Sequence, residues 1–511
     1  MILCIKDILI SRRSLFFCKY TINKNKTQKK TQLFWWYDIK ILYLHKNKNA
    51  VEIVIKDKIL LAMQDIIRDT PYDGRVYVVG GYVRDLVMGR ENDDIDLLID
   101  GGIDAGIEFA KWFCEKTGSH PPVEYGLYGT AMFQFMDSKI ESVAPRSEKY
   151  VDGSRNPIVS ESTIIDDCFR RDFTINSLFL NLSTNEIIDY SEQGINDIKN
   201  HIIRSTSDPK IIFREDPLRI LRAIRFSSRF SFNIASQTLD GMKEFADGLV
   251  FISQERITDE LNKILLCGRP SQAIDIITYI DAWRWILPEF KSCIGCQQNK
   301  YHCGDVALHT KMVVDNTPPV LELRLAALFH DIAKPNVVSV DDKGQRHFYN
   351  HEEVSARWTE DIMRRMKYSN DMIEIVSFLV KYHMRTKQFG NDCSKMSDKS
   401  LRKIMHVCKT KERFELLMQL IDADNHAHAP EHCLPMQVSH ICERAMELVD
   451  KGMDMFNFKL PINGNDIIEV KKISAGPLVK KYLEVCYKLA YNNPKMTKED
   501  YIKNIKNLKL C

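Results

Sequence analysis

The chain has 511 residues, 44% of them hydrophobic and 28% charged. That allows packed cores for about three domains and excludes wholesale disorder. Lys+Arg number 72 against 69 Asp+Glu, but residues 1–50 hold eleven basic residues against Asp7 and Asp38, so the +3 total leaves −6 on the remaining 461. No stretch reaches the roughly 18 uncharged apolar residues of a membrane helix. The start is broken by Lys6, Asp7, Arg12 and Arg13, unlike a signal peptide. Fourteen cysteines scattered from Cys4 to Cys511 read as reduced thiols in a cytoplasmic protein.

In chain order, residues 1–50 lack any apolar period and read as a basic extension outside the fold, with Met63 as a later candidate start. KDKILLAMQDIIRDT has helical spacing, and Val76–Val79 is a short buried strand ending at Gly80-Gly81. A helix start follows, then a strand over 95–99, a helix near 105–116 and strands near 129–135 and 139–144. Strands and helices mix to about residue 190. Beyond about 205 helical periods run almost without interruption, so an α/β head precedes a long all-α body.

The densest chemistry lies in VYVVGGYVRDLVMGRENDDIDLLID, residues 76–100. Asp94 and Asp96, two apart on a strand, face the same way. Side-by-side carboxylates repel unless a cation lies between them, and hard oxygen ligands suit Mg²⁺ carrying triphosphate oxygens. Glu141 on a later strand offers a third carboxylate. A solvated strand edge is the plain alternative, weakened by the apolar neighbours Ile95, Leu97, Leu98 and Ile99. Gly80-Gly81 lets backbone amides approach an anion at a helix start, and Arg84 one turn on can reach the same phosphates.

Asp216-Pro217 reads as an N-cap with proline at the first helical position. Arg219, Arg222 and Arg225 follow at intervals of three and drift around the helix. A carboxylate beside a guanidinium matches the donor and acceptor edges of cytosine and adenine and rejects guanine and uracil. An ordinary capped helix with an arginine-rich face is the alternative.

These blocks together resemble the class II tRNA nucleotidyltransferases, the CCA-adding enzymes and their bacterial poly(A) polymerase relatives. Asp167-Cys-Phe-Arg170-Arg171-Asp172-Phe-Thr-Ile-Asn176 is similar to the family's RRDFTIN block, and Glu215-Asp216-Pro-Leu-Arg219 to its EDxxR block. The resemblance implies that Gly80, Gly81, Arg84 and Arg170 bind nucleotide phosphates, that Asp172 meets the ribose, and that Asp216, Arg219, Arg222 and Arg225 belong to the nucleotide site. Asp189, Gly194 and Asp197 match a hinge-like block in which Gln193 and Ile198 depart, and Glu141 replaces a more common Asp.

A second constellation runs through His309, Phe329-His330-Asp331-Ile-Ala-Lys334, His351, His383 and Asp424. Its order resembles an HD domain, a metal-dependent phosphohydrolase fold. The resemblance makes His309, His330, Asp331 and Asp424 ligands of a divalent metal of unspecified identity, with His351 and His383 as additional ones. Cys293-Ile-Gly-Cys296 with His302-Cys303 leaves a zinc knuckle open, but one CxxC without a second favours ordinary thiols.

The expected architecture is α+β: a nucleotidyltransferase head with a mixed β-sheet, then an elongated all-α body including the HD-type domain. Expected boundaries are 1–50 for the extension, 51–200 for the head, 201–290 for a helical neck, 291–435 for the HD domain and 436–511 for a helical tail. The expected reaction is template-independent addition of C, C and A to the 3′ end of tRNA from CTP and ATP, using Mg²⁺, with a second phosphohydrolase activity from the HD domain. Poly(A) polymerase, and an HD phosphohydrolase with an RNA-binding head, are the alternatives. No membrane and no obligate protein partner is expected.

Overall fold

The computed structural model describes residues 50–126, 129–149 and 158–508. Apart from Ala50, the basic extension lies outside the described residues. The first helix, Lys58–Ile67, is capped by Asp57, whose carboxylate accepts from the Ile59 and Leu60 amides at 2.8 and 3.2 Å. It buries Leu60, Met63 and Ile67, the i, i+3, i+7 stripe of an amphipathic helix.

Among the described residues ten strands belong to the head: β1 (Ala50–Glu52), β2 (Val76–Val79), β3 (Ile95–Ile99), β4 (Val123–Tyr125), β5 (Thr130–Phe135), β6 (Ser138–Val143), β7 (Arg146–Lys149), β8 (Ile158–Glu161), β9 (Phe179–Asn181) and β10 (Glu186–Ile188). Eight form one sheet in the order β1-β10-β9-β2-β3-β6-β5-β4, and β7 pairs with β8 apart from it. Every neighbouring pair in the large sheet is antiparallel except β3 with β6, which is parallel. The sheet is therefore mixed, and β2 and β3 sit at its centre. Their near-continuous apolar runs fit strands covered on both faces.

Helix Ala105–Thr117 packs Phe109, Ala110 and Phe113 into that core. Its approach to β6 is so close that a Cβ on Gly106 would stand 2.8 Å from the Val143 backbone. Gly106→Ala is expected to destabilise the head by about 1–3 kcal/mol through overpacking. Urea denaturation of the two proteins measures it, and an unchanged midpoint would contradict the packing.

From about residue 200 the chain is mainly helical. Two small strand pairs interrupt it: Ile202–Ile203 with Asn233–Ile234, and Ser339–Val340 with Arg346–His347. The body is thus not purely α. Most buried apolar residues form one cluster running from Ile53 to Ile505, and Tyr77, Val79, Leu98, Ile164, Cys168 and Phe179 form a second, smaller one. Among the described residues no helix is long and apolar enough to cross a membrane.

Candidate active sites

Register places the three head carboxylates together. Asp96 on β3 lies directly beside Glu141 on β6, and Asp94, one residue ahead of β3, shares the Asp96 face. Burial, with the neighbouring charges of Asp94 and Glu141, raises the Asp96 carboxyl to about 7, against an opposing pull from Arg171. Such a cluster is under-neutralised by the protein alone, and its all-oxygen donor set fits a hard divalent cation.

The glycine turn closes one side. Gly80 has φ +71°, a left-handed conformation that favours glycine, and a Cβ there would lie 3.7 Å from both Asp96 Oδ2 and the Arg171 guanidinium. Gly81 starts helix Gly81–Val87.

The arginines divide differently from expectation. Arg84 is 4% exposed, and its guanidinium donates to Asp85 at 2.8 Å and to Asn176 at 2.7 Å while lying over the Phe226 and Phe230 rings. It holds the turn against the helix Leu218–Phe230, with its guanidinium 3.4 Å from where a Cβ on Gly81 would stand. Arg170 donates to Asp167 at 2.9 Å. Arg171, absent from the sequence-based site, is the one beside Asp96 and Gly80. It is held by Asp167 at 2.8 Å and lies over the Phe179 ring. Burial works against the Asp167 charge, but Arg171 and Arg170 hold its carboxyl below the usual range.

Asp172 is buried and accepts from Arg222 at 2.8 Å and Asn176 at 3.0 Å. Burial opposes its charge, yet Arg222 and Asn176 keep its carboxyl below the ordinary value. The carboxylate expected at the ribose is thus tied to the helix Leu218–Phe230. A continuous polar chain results. The Asp94 amide donates to Asn92, Asn92 to Asp85, Arg84 to Asp85 and Asn176, Asn176 to Asp172, and Arg222 to Asp172.

Asp216 follows helix Pro209–Glu215, and Pro217 occupies the N-cap of the next helix, one residue later than the sequence indicates. The Asp216 carboxylate still accepts from the Leu218 amide at 3.1 Å, and its other oxygen from Arg256 at 3.0 Å. Arg219 donates to Glu215 at 3.2 Å and to the Arg170 carbonyl at 2.9 Å. The two base-reading candidates are adjacent but do not pair with each other. Arg225 turns away, to Glu260 at 2.7 Å. Among the hinge-like residues, Asp197 is buried and accepts from Thr174 at 2.7 Å, and a Cβ on Gly194 would meet the Thr174 carbonyl at 2.5 Å.

The second centre is assembled from five helices. His309 lies in helix Val306–Asn316, His330 and Asp331 follow helix Leu321–Phe329, His351 opens helix His351–Arg365, His383 follows helix Asn370–Tyr382, and Asp424 sits in the last turn of helix Lys411–His426. All six are at most 5% exposed. Each imidazole donates Nδ1–H to a carbonyl: His309 to Ala427, His330 to Ala327, His351 to Phe348 and His383 to Val380. Every Nε2 therefore faces the centre. Burial works against a charge on His330, but Asp331 raises it above the ordinary imidazole value.

Distances inside show what the group lacks. His309 Nε2 is 3.0 Å from Asp424, His330 Nε2 is 3.2 Å from Asp331, and His351 Nε2 is 3.2 Å from the other Asp331 oxygen. His351 and His383 face each other Nε2 to Nε2 at 3.4 Å. Burial pushes His383 down to about 3 and also lowers His309, so these two rings are neutral, the His383 Nε2 turned toward His351 and the His309 Nε2 toward the Asp424 carboxylate. His309 Nε2, His330 Nε2 and both Asp331 oxygens are buried without a well-formed hydrogen bond. A cation relieves all of these conflicts, and the mixed nitrogen and oxygen donors suit a borderline divalent metal.

Lys387 and His428 at this centre escaped the sequence reading, while His302 and Lys334 were named in it but not as site residues. Lys334 reaches Asp331 at 2.6 Å and Lys387 reaches Asp424 at 2.8 Å. His302 joins His309 and Asp331 in a third metal-capable group, and the His428 ring lies 5.6 Å from that of His309. Lys334, in the stretch His330-Asp-Ile-Ala-Lys334, had a visible signal three residues after the Asp; Lys387 had none. None of the metal-capable groups among the described residues contains a cysteine. Buried Cys293 donates to the Ile332 carbonyl, as an ordinary core thiol does.

Residues 76–204 match the poly A polymerase head domain, residues 231–294 the probable RNA and SrmB-binding site of polymerase A, and residues 300–422 the HD domain. The chain is 31% identical over 321 residues to the multifunctional CCA protein of Dechloromonas aromatica, covering 60% of this chain and 73% of that one. It is 33% identical over 223 residues to the mitochondrial CCA tRNA nucleotidyltransferase of Saccharomyces cerevisiae, a match spanning 39% of this chain and 40% of the yeast protein. The CCA-adding enzyme of Bacillus stearothermophilus, solved with CTP, superposes with a TM-score of 0.61 at 20% identity, over 88% of this chain and 96% of that one. Fold and sites thus define a nucleotidyltransferase head joined to a helical body with an HD domain. The chain belongs to the family of the CCA tRNA nucleotidyltransferases and multifunctional CCA proteins.

Proposed function

We propose that this protein is a cytoplasmic enzyme that adds C, C and A to the 3′ end of tRNA from CTP and ATP and releases pyrophosphate. The observation that carries the reading is the clustering of Asp94, Asp96 and Glu141 beside the Gly80-Gly81 turn, in a chain whose relatives are named for CCA addition. Asp94 and Asp96 would hold Mg²⁺, with Glu141 beside them. Such an ion would supply positive charge to the phosphate oxygens; the RNA 3′-hydroxyl attacks the α-phosphate and pyrophosphate leaves. The amides of the glycine turn and the helix start orient the triphosphate. Arg171, fixed by Asp167, adds a cation on the same side. Asp216 and Arg219 select cytosine or adenine once their edges replace the present Arg256 and Glu215 contacts. Domain limits near residues 50, 200, 290 and 435 fit this division of labour.

The HD centre is proposed to hold a divalent metal through His309, His330, Asp331 and Asp424. His351, His383 and the second Asp331 oxygen offer another position. Its orphaned donors support a phosphohydrolase acting on phosphate at RNA ends.

The test is incubation of purified protein with tRNA lacking its 3′ CCA, Mg²⁺ and each nucleotide singly and together, followed by end sequencing. Addition that stops after CCA is expected. A long A tract would make the protein a poly(A) polymerase, and addition of only CC or only A would restrict the activity. Asp216→Ala is expected to admit UTP or GTP, or to cut CTP and ATP use by about a hundredfold, since a lost base-reading hydrogen bond leaves its partner unpaired.

A further inference from the structure

A cavity of about 150 Å³ lies on the helical body, away from both centres. Its floor is apolar: Leu417 is 1%, Ile404 7% and Phe389 9% exposed. Its rim is cationic, with Arg385 and Lys403 on opposite elements, Lys403 in helix Asp398–Cys408 and Arg385 just beyond helix Asn370–Tyr382. No carboxylate lines it. Nearby cations are neutralised, Lys381 by Glu353 and Arg413 by Glu374, each at 2.9 Å. Arg385 and Lys403 have no ion-pair partner among the described residues, and Arg385 lies 5.2 Å over the Tyr382 ring.

An apolar floor edged by an aromatic ring and two unneutralised cations has a specific complement: a flat ring bearing an anion. We propose that this cavity binds a phosphorylated nucleoside, with the base on Phe389, Ile404 and Leu417 beside Tyr382 and the phosphate between Arg385 and Lys403. Rings stack on aromatic faces without regard to sequence, and charge-assisted bonds to phosphate are the strong ones. Gln388, also on the rim, offers both donor and acceptor to a base edge.

Placement relates the cavity to the HD centre without merging them. Tyr382 and His383 are consecutive, so they point about 100° apart around the chain axis, one to the cavity and one to the centre. Leu417 and Asp424 share a helix two turns apart, roughly 10 Å. Two sources of the same ligand chemistry fit: a free nucleotide, or the terminal nucleotide of an RNA whose phosphate end lies toward the HD centre.

Photolabelling of the full chain with 8-azido-AMP at graded concentrations, followed by peptide mass spectrometry, tests the site and separates it from labelling in the head. Saturable labelling within residues 382–407 is expected. Arg385→Glu and Lys403→Glu should each shift half-saturation by about tenfold or more, Lys403→Arg should retain it, and CCA addition should stay at the wild-type rate. Competition by a short RNA with a 3′-phosphate at concentrations below those needed for AMP would assign the cavity to RNA ends; competition by AMP alone would assign it to free nucleotides. Absence of saturable labelling there, or labelling unchanged in both Glu variants, would overturn the proposal.

Discussion

Asp96→Asn is expected to lower nucleotide addition by about a thousandfold or more, a loss of roughly 4 kcal/mol of transition-state stabilisation. The side chain keeps its size and its place beside Glu141, so the loss isolates its charge. Stability should move the other way. The folded carboxyl is raised to about 7 by burial and by Asp94 and Glu141. A carboxylate whose folded value exceeds its unfolded one binds more protons when folded, so it lowers stability progressively as pH rises from about 4 to about 7. Asparagine removes that penalty. At pH 8 without divalent cations the variant should therefore melt at or above the wild-type temperature. Single-turnover extension of a shortened tRNA and a thermal melt read the two halves. Full activity in Asp96→Asn, or in Asp94→Ala, would refute the metal assignment.

His330→Ala is the matching experiment at the second centre. It is expected to abolish any release of phosphate from RNA ends and to lower bound divalent metal, while nucleotide addition continues unchanged. Asp331→Ala is the poorer choice. Lys334 is 4% exposed and pairs with Asp331 at 2.6 Å, so removing that carboxylate leaves a buried ammonium on neutral partners, the Gln298 amide oxygen at 2.7 Å among them, at a cost of about 3–5 kcal/mol. His330 is the gentler removal: its Nδ1–H bonds a backbone carbonyl, and the Asp331 carboxylate 3.2 Å from its Nε2 keeps Lys334 as a partner. Elemental analysis of dialysed protein checks the metal. Loss of addition in His330→Ala would mean that the two centres are coupled.

The central strands were legible because Val76–Val79 and Ile95–Ile99 are short apolar runs bounded by turn residues, and their limits coincide with the observed elements. The juxtaposition of Asp96 and Glu141 was legible only as a suggestion, since register between distant strands leaves no local trace. Adjacent arginines were harder. Arg171 is the C-cap of helix Ile164–Arg170 with extended backbone, φ −65° and ψ 162°, so its side chain leaves the helical path that carries Arg170. That break decides which arginine meets the carboxylates, and composition cannot reveal it. The chain through Asn92, Asp85 and Asn176 consists of hydrogen bonds between blocks far apart in sequence and has no periodicity to read. The hairpin over 339–347 was missed: its Asp341-Asp-Lys-Gly344 turn is a local signal, but a strand pair of two residues on each side is overridden by the surrounding helical pattern.

At the second centre, His330 and His383 each immediately follow a helix and donate to the carbonyl three residues back, in that helix's last turn. Such carbonyls have no amide left to bond within the helix. One imidazole thus ends the helix with one nitrogen and faces the metal position with the other. Helix length and coordination chemistry are written in the same residue. Inserting a single residue before either histidine would swing its ring about 100° around the axis, so these two helices tolerate substitution along their faces but no change in residue count.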